Sequence, residues 1–164
     1  MRAEAERDYT WLFRAHFPSV VSMVLVVVHD RARAEELAQE AFLKLFQNWA
    51  TVSGYERPDA WVRRVAMRMA VREARREGVR PVLERRGGSD DREEQPPDVD
   101  LARAVQELAP MQRAAVALYY LDDQPVREIA RTLQVSESTV KQHLLRARRR
   151  LADLLGEEVT QDAG

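Results

Sequence analysis

The chain contains no cysteine, only 6 glycines in 164 residues, and no long apolar run. Without thiols there can be no disulfide, no thiol nucleophile and no Cys-ligated zinc, although this alone assigns no compartment. The scarcity of glycine, together with long Ala/Arg/Glu/Leu segments, favours helix over strand throughout. The most apolar stretch is VVSMVLVVV, Val20 to Val28. A membrane span needs about 20 such residues, so this run is expected to be core rather than a span. The opening MRAEAERDY is too acidic for the start of a signal peptide. No membrane partner is expected, and the cytoplasm is the default location. The three histidines, His16, His29 and His143, are scattered, and Asp122 and Asp123 sit in a turn beside no other ligand type. No catalytic residue, metal or cofactor is therefore expected.

What is present is charge, and it is segregated. Hydrophobic residues make up 45% of the chain and charged residues 32%, which suits a globular helical protein. The formal net charge of −1 is an average over opposed segments. Trp61 to Arg76 holds six Arg and one Glu; Lys141 to Arg150 holds five basic residues and no acid. Ser89 to Asp100 holds six acids and one Arg. Two basic helical segments on either side of an acidic connector suggest two surfaces that meet phosphate.

The expected fold is all-α: two small helical domains, 1–77 and 101–156, joined by a flexible acidic linker, 78–100, and followed by a tail, 157–164. In the first block, Tyr9, Leu12, Phe13, Phe17, Val20, Val21 and Val24 recur at helical spacing, and Pro18 should kink or restart the helix. Val20 to Val28 has strand propensity but helical flanks and no partner strand, so it reads as buried helix. Asp30 is placed to cap a second helix whose core stripe is Leu37, Ala41, Phe42, Leu45, Phe46 and Trp49. Thr51 to Asp59 reads as a loop, and a third helix begins at Asp59 or Ala60. The Pro/Gly-rich acidic linker has nothing to bury. As a coil of about 23 residues it would span roughly 26 Å, and fully stretched roughly 75 Å.

Four helices are expected from Leu101 to Leu155. The first carries Leu101, Val105 and Leu108, the second starts at Pro110 and ends near Leu121, and the third starts at Pro125 with Val126, Ile129, Ala130 and Leu133 on one face. Ser136 can cap the fourth, whose inward seam is Val140, Leu144, Ala147 and Leu151. A short helix, a tight turn and a second helix with a basic outer face form a helix-turn-helix pattern. Ser138 and Thr139 at the helix start and Lys141, Gln142, Leu145, Arg146 and Arg149 on its outer face are the candidate DNA contacts. The turn places Gln134 where a left-handed conformation is common, at a strain of up to about 1 kcal/mol for a non-glycine residue.

Two further surfaces stand in the first block. Glu35, Glu36, Gln39 and Glu40 lie opposite the apolar stripe of the second helix. Arg64, Arg68, Arg72, Arg75 and Arg76 recur at steps of three and four on the third, with Trp49, Tyr55 and Trp61 near the loop as core residues or as stacking faces for unpaired bases.

In these segments the chain resembles the extracytoplasmic-function (ECF) sigma factors of bacterial RNA polymerase, within the sigma-70 superfamily. DRARAEELAQEAFLKLF and AWVRRVAMRMAVREARR resemble region 2, and LAPMQRAAVALYYLDDQPVREIARTLQVSESTVKQHLLRARRRL resembles region 4. The resemblance implies that Glu36, Gln39 and Glu40 dock on the clamp helices of the largest core polymerase subunit. It implies that the loop, with Val52 and Tyr55, and the helix, with Trp61, Arg64, Arg68, Arg72, Arg75 and Arg76, open the minus-ten element of promoter DNA. The helix-turn-helix would read the minus-thirty-five element, and the flap of the second-largest subunit would hold remaining apolar surface of the C-terminal unit. An anti-sigma factor is a partner the family allows and the sequence does not name. Family members often have Asn at the position of Arg68 and Asp at that of Arg72, so the minus-ten base preference does not carry over. The rival reading is a stand-alone helix-turn-helix regulator, which would lack both the acidic docking face and the arginine helix.

Overall fold

The computed structural model describes residues 2–77 and 98–156, all helix, turn or coil. The residues 78–97 of the expected linker and the tail 157–164 lie outside the described residues. Helix α1 (Ala3–Val28) is unbroken at Pro18, where a kink or restart was expected. Proline removes the bond from its own nitrogen to the carbonyl of Arg14. Both residues are exposed, so water can take that carbonyl, and the hydroxyls of Ser19 and Ser22 donate to the carbonyls of His16 and Pro18 at 2.9 and 3.1 Å. The valine-rich stretch is helix: Val20, Val21, Met23, Val24 and Val27 are buried, and packing overrides their β propensity. By length and composition α1 could cross a membrane. Here its apolar face is covered by α2 (Arg31–Gln47), α4 (Pro58–Glu77) and α6 (Pro110–Val116), making it the central core helix.

The chain leaves α1 through His29 in the left-handed conformation (φ 57°), whose N–H donates to the carbonyl of Leu25 at 2.9 Å. Asp30 then caps α2 as expected, its Oδ1 accepting from the Arg33 N–H at 3.1 Å. Leu37, Ala41, Phe42 and Leu45 are buried, but Phe46 is 45% exposed, standing edge-on to Tyr9 at the rim. A short helix α3 (Trp49–Val52) occupies the start of the expected loop, and α4 begins at Pro58. The Tyr9 hydroxyl donates to the Phe42 carbonyl at 2.8 Å, pinning α1 to α2 beside an aromatic cluster with Phe13, Phe17 and Trp49.

Helix α5 (Asp98–Gln106) starts inside the expected linker, and Leu101 is 49% exposed rather than core, while Ala104 and Leu108 are buried. The Gln112 side chain accepts from the Ala109 N–H at 3.3 Å where α6 starts. α6 widens into a π turn (Ala117–Leu121), followed by α7 (Val126–Leu133) and α8 (Glu137–Leu155). Pro125 stands just before α7, as its cap residue.

The two halves share one core, an arrangement that helix periodicity does not reveal. The buried cluster runs from α1, α2 and α4 into α6, α7 and α8; α1 and α4 pack on α6, and α4 packs on α7.

His29 sits at this junction. Its Nε2 is buried without a hydrogen-bond partner among the described residues, and burial plus the nearby Arg113 cation push its pKa down to about 4. The fold therefore favours neutral His29. The stability this carries is present above about pH 6.5 and lost as pH falls toward 4, at most about 3 kcal/mol and less where water reaches the ring. We expect the urea midpoint to fall over this window, and to fall less steeply in His29→Asn, which tolerates the left-handed backbone. His16 and His143 are also lowered, so a residual slope should remain. Parallel curves would exclude His29 as the group.

Candidate nucleic-acid interface

The turn between α7 and α8 is tight because Gln134 adopts the left-handed conformation at φ 59°, and the Val135 N–H returns to the Ala130 carbonyl at 3.1 Å. Ser136 caps α8: its Oγ accepts from the Thr139 N–H at 3.1 Å and lies 3.0 and 2.8 Å from the hydroxyls of Ser138 and Thr139. Val140, Leu144 and Ala147 are buried and Leu151 is half-buried. This fixes the rotation of α8 about its axis. Lys141, Gln142, Leu145, Arg146 and Arg149 consequently share one exposed face, with Ser138 exposed and Thr139 half-buried at its start. His143 lies toward α4, and burial, Arg146 and Arg75 lower its pKa in that order.

The expected arginine stripe of α4 is divided. Arg72, Arg75 and Arg76 are exposed. Arg68 instead reaches α7, donating from Nε to the Thr132 carbonyl at 2.9 Å and from Nη2 to the Arg131 carbonyl at 3.0 Å. Burial, then the neighbouring Arg64 charge, lowers its pKa. Arg64 faces Glu128 of α7 at 3.9 Å. The exposed arginines rim a groove of about 440 Å³ floored by Val71, Met111 and Leu133.

Of the aromatic candidates, Tyr55 is 50% exposed and Trp61 half-buried, and both line a second groove beside Arg57 and Arg64. Trp49 is core, edge-on to Tyr9 at 5.6 Å. Val52 is corrected outright. It was expected on the loop surface, but it ends α3 with 2% exposure and packs in the core, out of reach of DNA. Glu36, Gln39 and Glu40 stand exposed together on α2, opposite buried Leu37, Ala38 and Ala41. Glu36 pairs with Arg33 at 2.8 Å, a surface pair of little energetic weight.

Two features were missed. Arg63 is 9% exposed, and its guanidinium joins the halves: Nη1 donates to Asp122 Oδ1 at 2.8 Å and Nη2 to Ser19 Oγ at 2.7 Å. Nη2 also lies 3.0 Å from His16 Nδ1. A guanidinium only donates, so that nitrogen is the acceptor. Burial, then the Arg63 charge, lowers the His16 pKa. Asp122 is thus not isolated in its turn, as the sequence suggested, but its carboxylate is occupied by arginine. The available signal was register, since Arg63 lies on the stripe of Met67, Ala70 and Ala74. The second feature is a surface on the C-terminal half, where the Arg148 Nε donates to the Tyr120 hydroxyl at 2.7 Å and the guanidinium lies over Tyr119 and Tyr120. It borders an apolar groove of about 560 Å³ that takes Leu25 and Val26 from α1 and Leu101, Val105 and Leu121 from the other half.

Both halves of the chain match known protein families. Residues 12–80 match the family model for sigma-70 region 2, and residues 98–151 that for sigma-70 region 4. The RNA polymerase sigma-E factor of Streptomyces coelicolor is 32% identical over 133 residues, covering 79% of this chain and 75% of that one. The ECF RNA polymerase sigma factor SigM of Mycobacterium tuberculosis is 29% identical over 154 residues, covering 88% and 76%. In fold, the chain is similar to the sigma factor RpoE of Bartonella quintana, solved in complex with the anti-sigma factor NepR: TM-score 0.72 at 18% identity, over 91% of this chain and 97% of that one. With regions 2 and 4 matched in order, and a relative above 30% identity aligned over most of its length, the chain belongs to the ECF family of RNA polymerase sigma factors.

Proposed function

We propose that this sigma factor docks on core polymerase through α2, opens the minus-ten element with α4 and its preceding loop, and selects the minus-thirty-five element with α8. The observation that carries this reading is the pair of exposed basic helix faces, one in each matched region: Arg72, Arg75 and Arg76 on α4, and Lys141, Gln142, Arg146 and Arg149 on α8.

On α8, the Val140–Leu144–Ala147 seam presents the opposite face to a major groove. Gln142 suits adenine, Arg146 suits guanine, and Leu145 suits a thymine methyl group. Ser138 and Thr139, beside the positive end of the helix dipole, suit phosphate. On α4 the arginines neutralise phosphates of a separated strand, while Tyr55 and Trp61 offer faces to unstacked bases. Extruding a base costs a few kcal/mol, which pocket contacts offset. The exposed Tyr119, Tyr120 and Leu121 suit the flap of the second-largest subunit, and the apolar groove beside them suits an amphipathic segment of an anti-sigma factor. The protein acts as a regulatory DNA-binding subunit in the cytoplasm, where its polymerase works.

Footprinting tests the reading directly. Core plus this protein should protect promoter DNA from a genomic library, and the protein alone should not; tight, specific protection by the protein alone would replace it with a stand-alone regulator.

Two substitutions probe the faces. Glu36→Lys with Glu40→Lys should weaken core binding about tenfold, as reversal of paired interface charge does; an unchanged affinity for core would remove α2 as the docking face. Arg146→Ala should cost about 1–3 kcal/mol at one base pair of the upstream element. An equal loss across all sequences would make Arg146 a phosphate contact instead.

A further inference from the structure

Where the loop enters α4, between Tyr55 and Trp61, stands an ion pair that none of the roles above uses. The Arg57 guanidinium lies side-on to the Asp59 carboxylate, donating from Nε to Oδ1 at 3.1 Å and from Nη2 to Oδ2 at 2.8 Å. The Arg57 backbone is fixed as well. Its carbonyl accepts from the N–H groups of Ala60 and Trp61 at 3.1 and 3.3 Å as α4 begins, and the ring of Pro58 sets the next φ. The side chains are 68% and 15% exposed, so the pair adds little to stability. The hydrogen bond from Arg57 holds the Asp59 carboxyl below its ordinary pKa, which keeps it ionised at neutral pH.

A guanidinium carries N–H donors on two edges, and Asp59 occupies only the side-on edge. The end-on edge, with one N–H each from Nη1 and Nη2, has no partner among the described residues. Arg57 lines a groove of about 550 Å³ with Tyr55, Ala60, Trp61 and Arg64, and the Tyr55 ring is half-exposed there. Two features decide what this edge suits. The carboxylate offsets the arginine's charge, which weakens attraction to phosphate but leaves the donors in place. Two parallel donors held still match two acceptors side by side on one ring: O6 and N7 of guanine, or O2 and N3 of an unpaired cytosine. Adenine and thymine offer no such pair of adjacent acceptors.

We propose that Arg57 is a specificity residue of the minus-ten contact, reading an unstacked guanine or cytosine with its end-on edge, and that Asp59 is the positioning residue that aims it. This rests on the promoter-recognition reading above. Tyr55, two residues away and facing the same groove, supplies a ring against which the extruded base can stack. The pair therefore gives the loop a base preference of its own, separate from the phosphate contacts of Arg72, Arg75 and Arg76.

Holoenzyme selecting from a promoter library randomised over the minus-ten element should enrich a guanine–cytosine pair at one position. Binding to each single strand of the selected element then shows which of the two bases is read. Arg57→Met should lower the preference at that position about tenfold, as loss of a bidentate contact does, and leave the other positions as they are. Arg57→Lys keeps the charge without the planar donor pair and should behave as Arg57→Met does. Asp59→Asn should blunt the same preference and free Arg57 for phosphate, steepening the salt dependence of single-strand binding by about 0.7 in log–log slope. A merely structural Asp59 would leave that slope unchanged, and an unchanged slope and base profile would remove its positioning role. Equal loss at every position in Arg57→Met would make Arg57 a phosphate contact and overturn the proposal, as would an unchanged base profile. The exposed Arg57 variants should melt as the wild type does; if they do not fold, Arg57 is a structural prop and the proposal fails. If wild-type holoenzyme enriches no minus-ten sequence at all, the promoter-recognition reading falls instead.

Discussion

A guanidinium withdrawn from water must find enough acceptors to replace it, and Arg63 finds them only where α1, α4 and the turn after the π helix converge. Desolvating such an ion costs several kcal/mol, and attraction to a carboxylate repays this only when geometry and additional hydrogen bonds are good. The remaining junction is organised around that requirement. The π turn at Ala117–Leu121 carries the chain off α6 so that Asp122 faces α4. The bond from the Asp122 N–H to the Ala117 carbonyl, at 3.3 Å, ties the turn to the helix it leaves. Proline 18 leaves α1 continuous, which keeps His16 and Ser19 on the turns that meet Arg63.

The apolar side of the junction includes small residues. α6 lies between α8 and the α1–α4 pair and buries Met111, Ala114 and Ala115. Alanine lets helices approach closely but contributes little apolar area, at roughly 25 cal/mol per Å². The N-terminal half is different. Phe42, Met23, Leu45 and Met67 are fully buried there, with Tyr9, Phe13 and Phe17 packed around Phe42. The halves meet through Met111 and the α6 alanines together with the Arg63–Asp122 ion pair.

Helix periodicity made most elements legible. Asp30, Ser136 and the left-handed Gln134 are local features, set by a few neighbouring residues, and each stands where the pattern placed it. The α8 face was legible for the same reason, because its apolar seam fixes which side faces out. Errors arose where tertiary packing decides. Pro18 was read as a break because its exposure was not visible; Val52 was read as loop surface because α3 folds the loop's start back into the core. Phe46 and Leu101 lie on apolar stripes at the edges of their helices, where the described residues cover only about half of each. From sequence, Arg64 and Arg68 read as one continuous stripe with Arg72, Arg75 and Arg76. Only the partner half separates them, and its approach depends on contacts more than forty residues away in the chain.

That separation gives the arginine helix two environments along its length. At its N-terminal end, each guanidinium has an acceptor from the other half: Asp122 for Arg63, Glu128 for Arg64, carbonyls of Arg131 and Thr132 for Arg68. At its C-terminal end, Arg72, Arg75 and Arg76 face solvent, with Arg75 near His143 of α8. The contacts at the N-terminal end act on one rigid helix, so they set how tightly α7 is held. Phosphate supplied by DNA would compete for the arginines at that end. A polyanion therefore does not act as a neutral bystander to this junction. Of the arginines along α4, Arg64 and Arg68 contact the other half, while Arg72, Arg75 and Arg76 stay exposed.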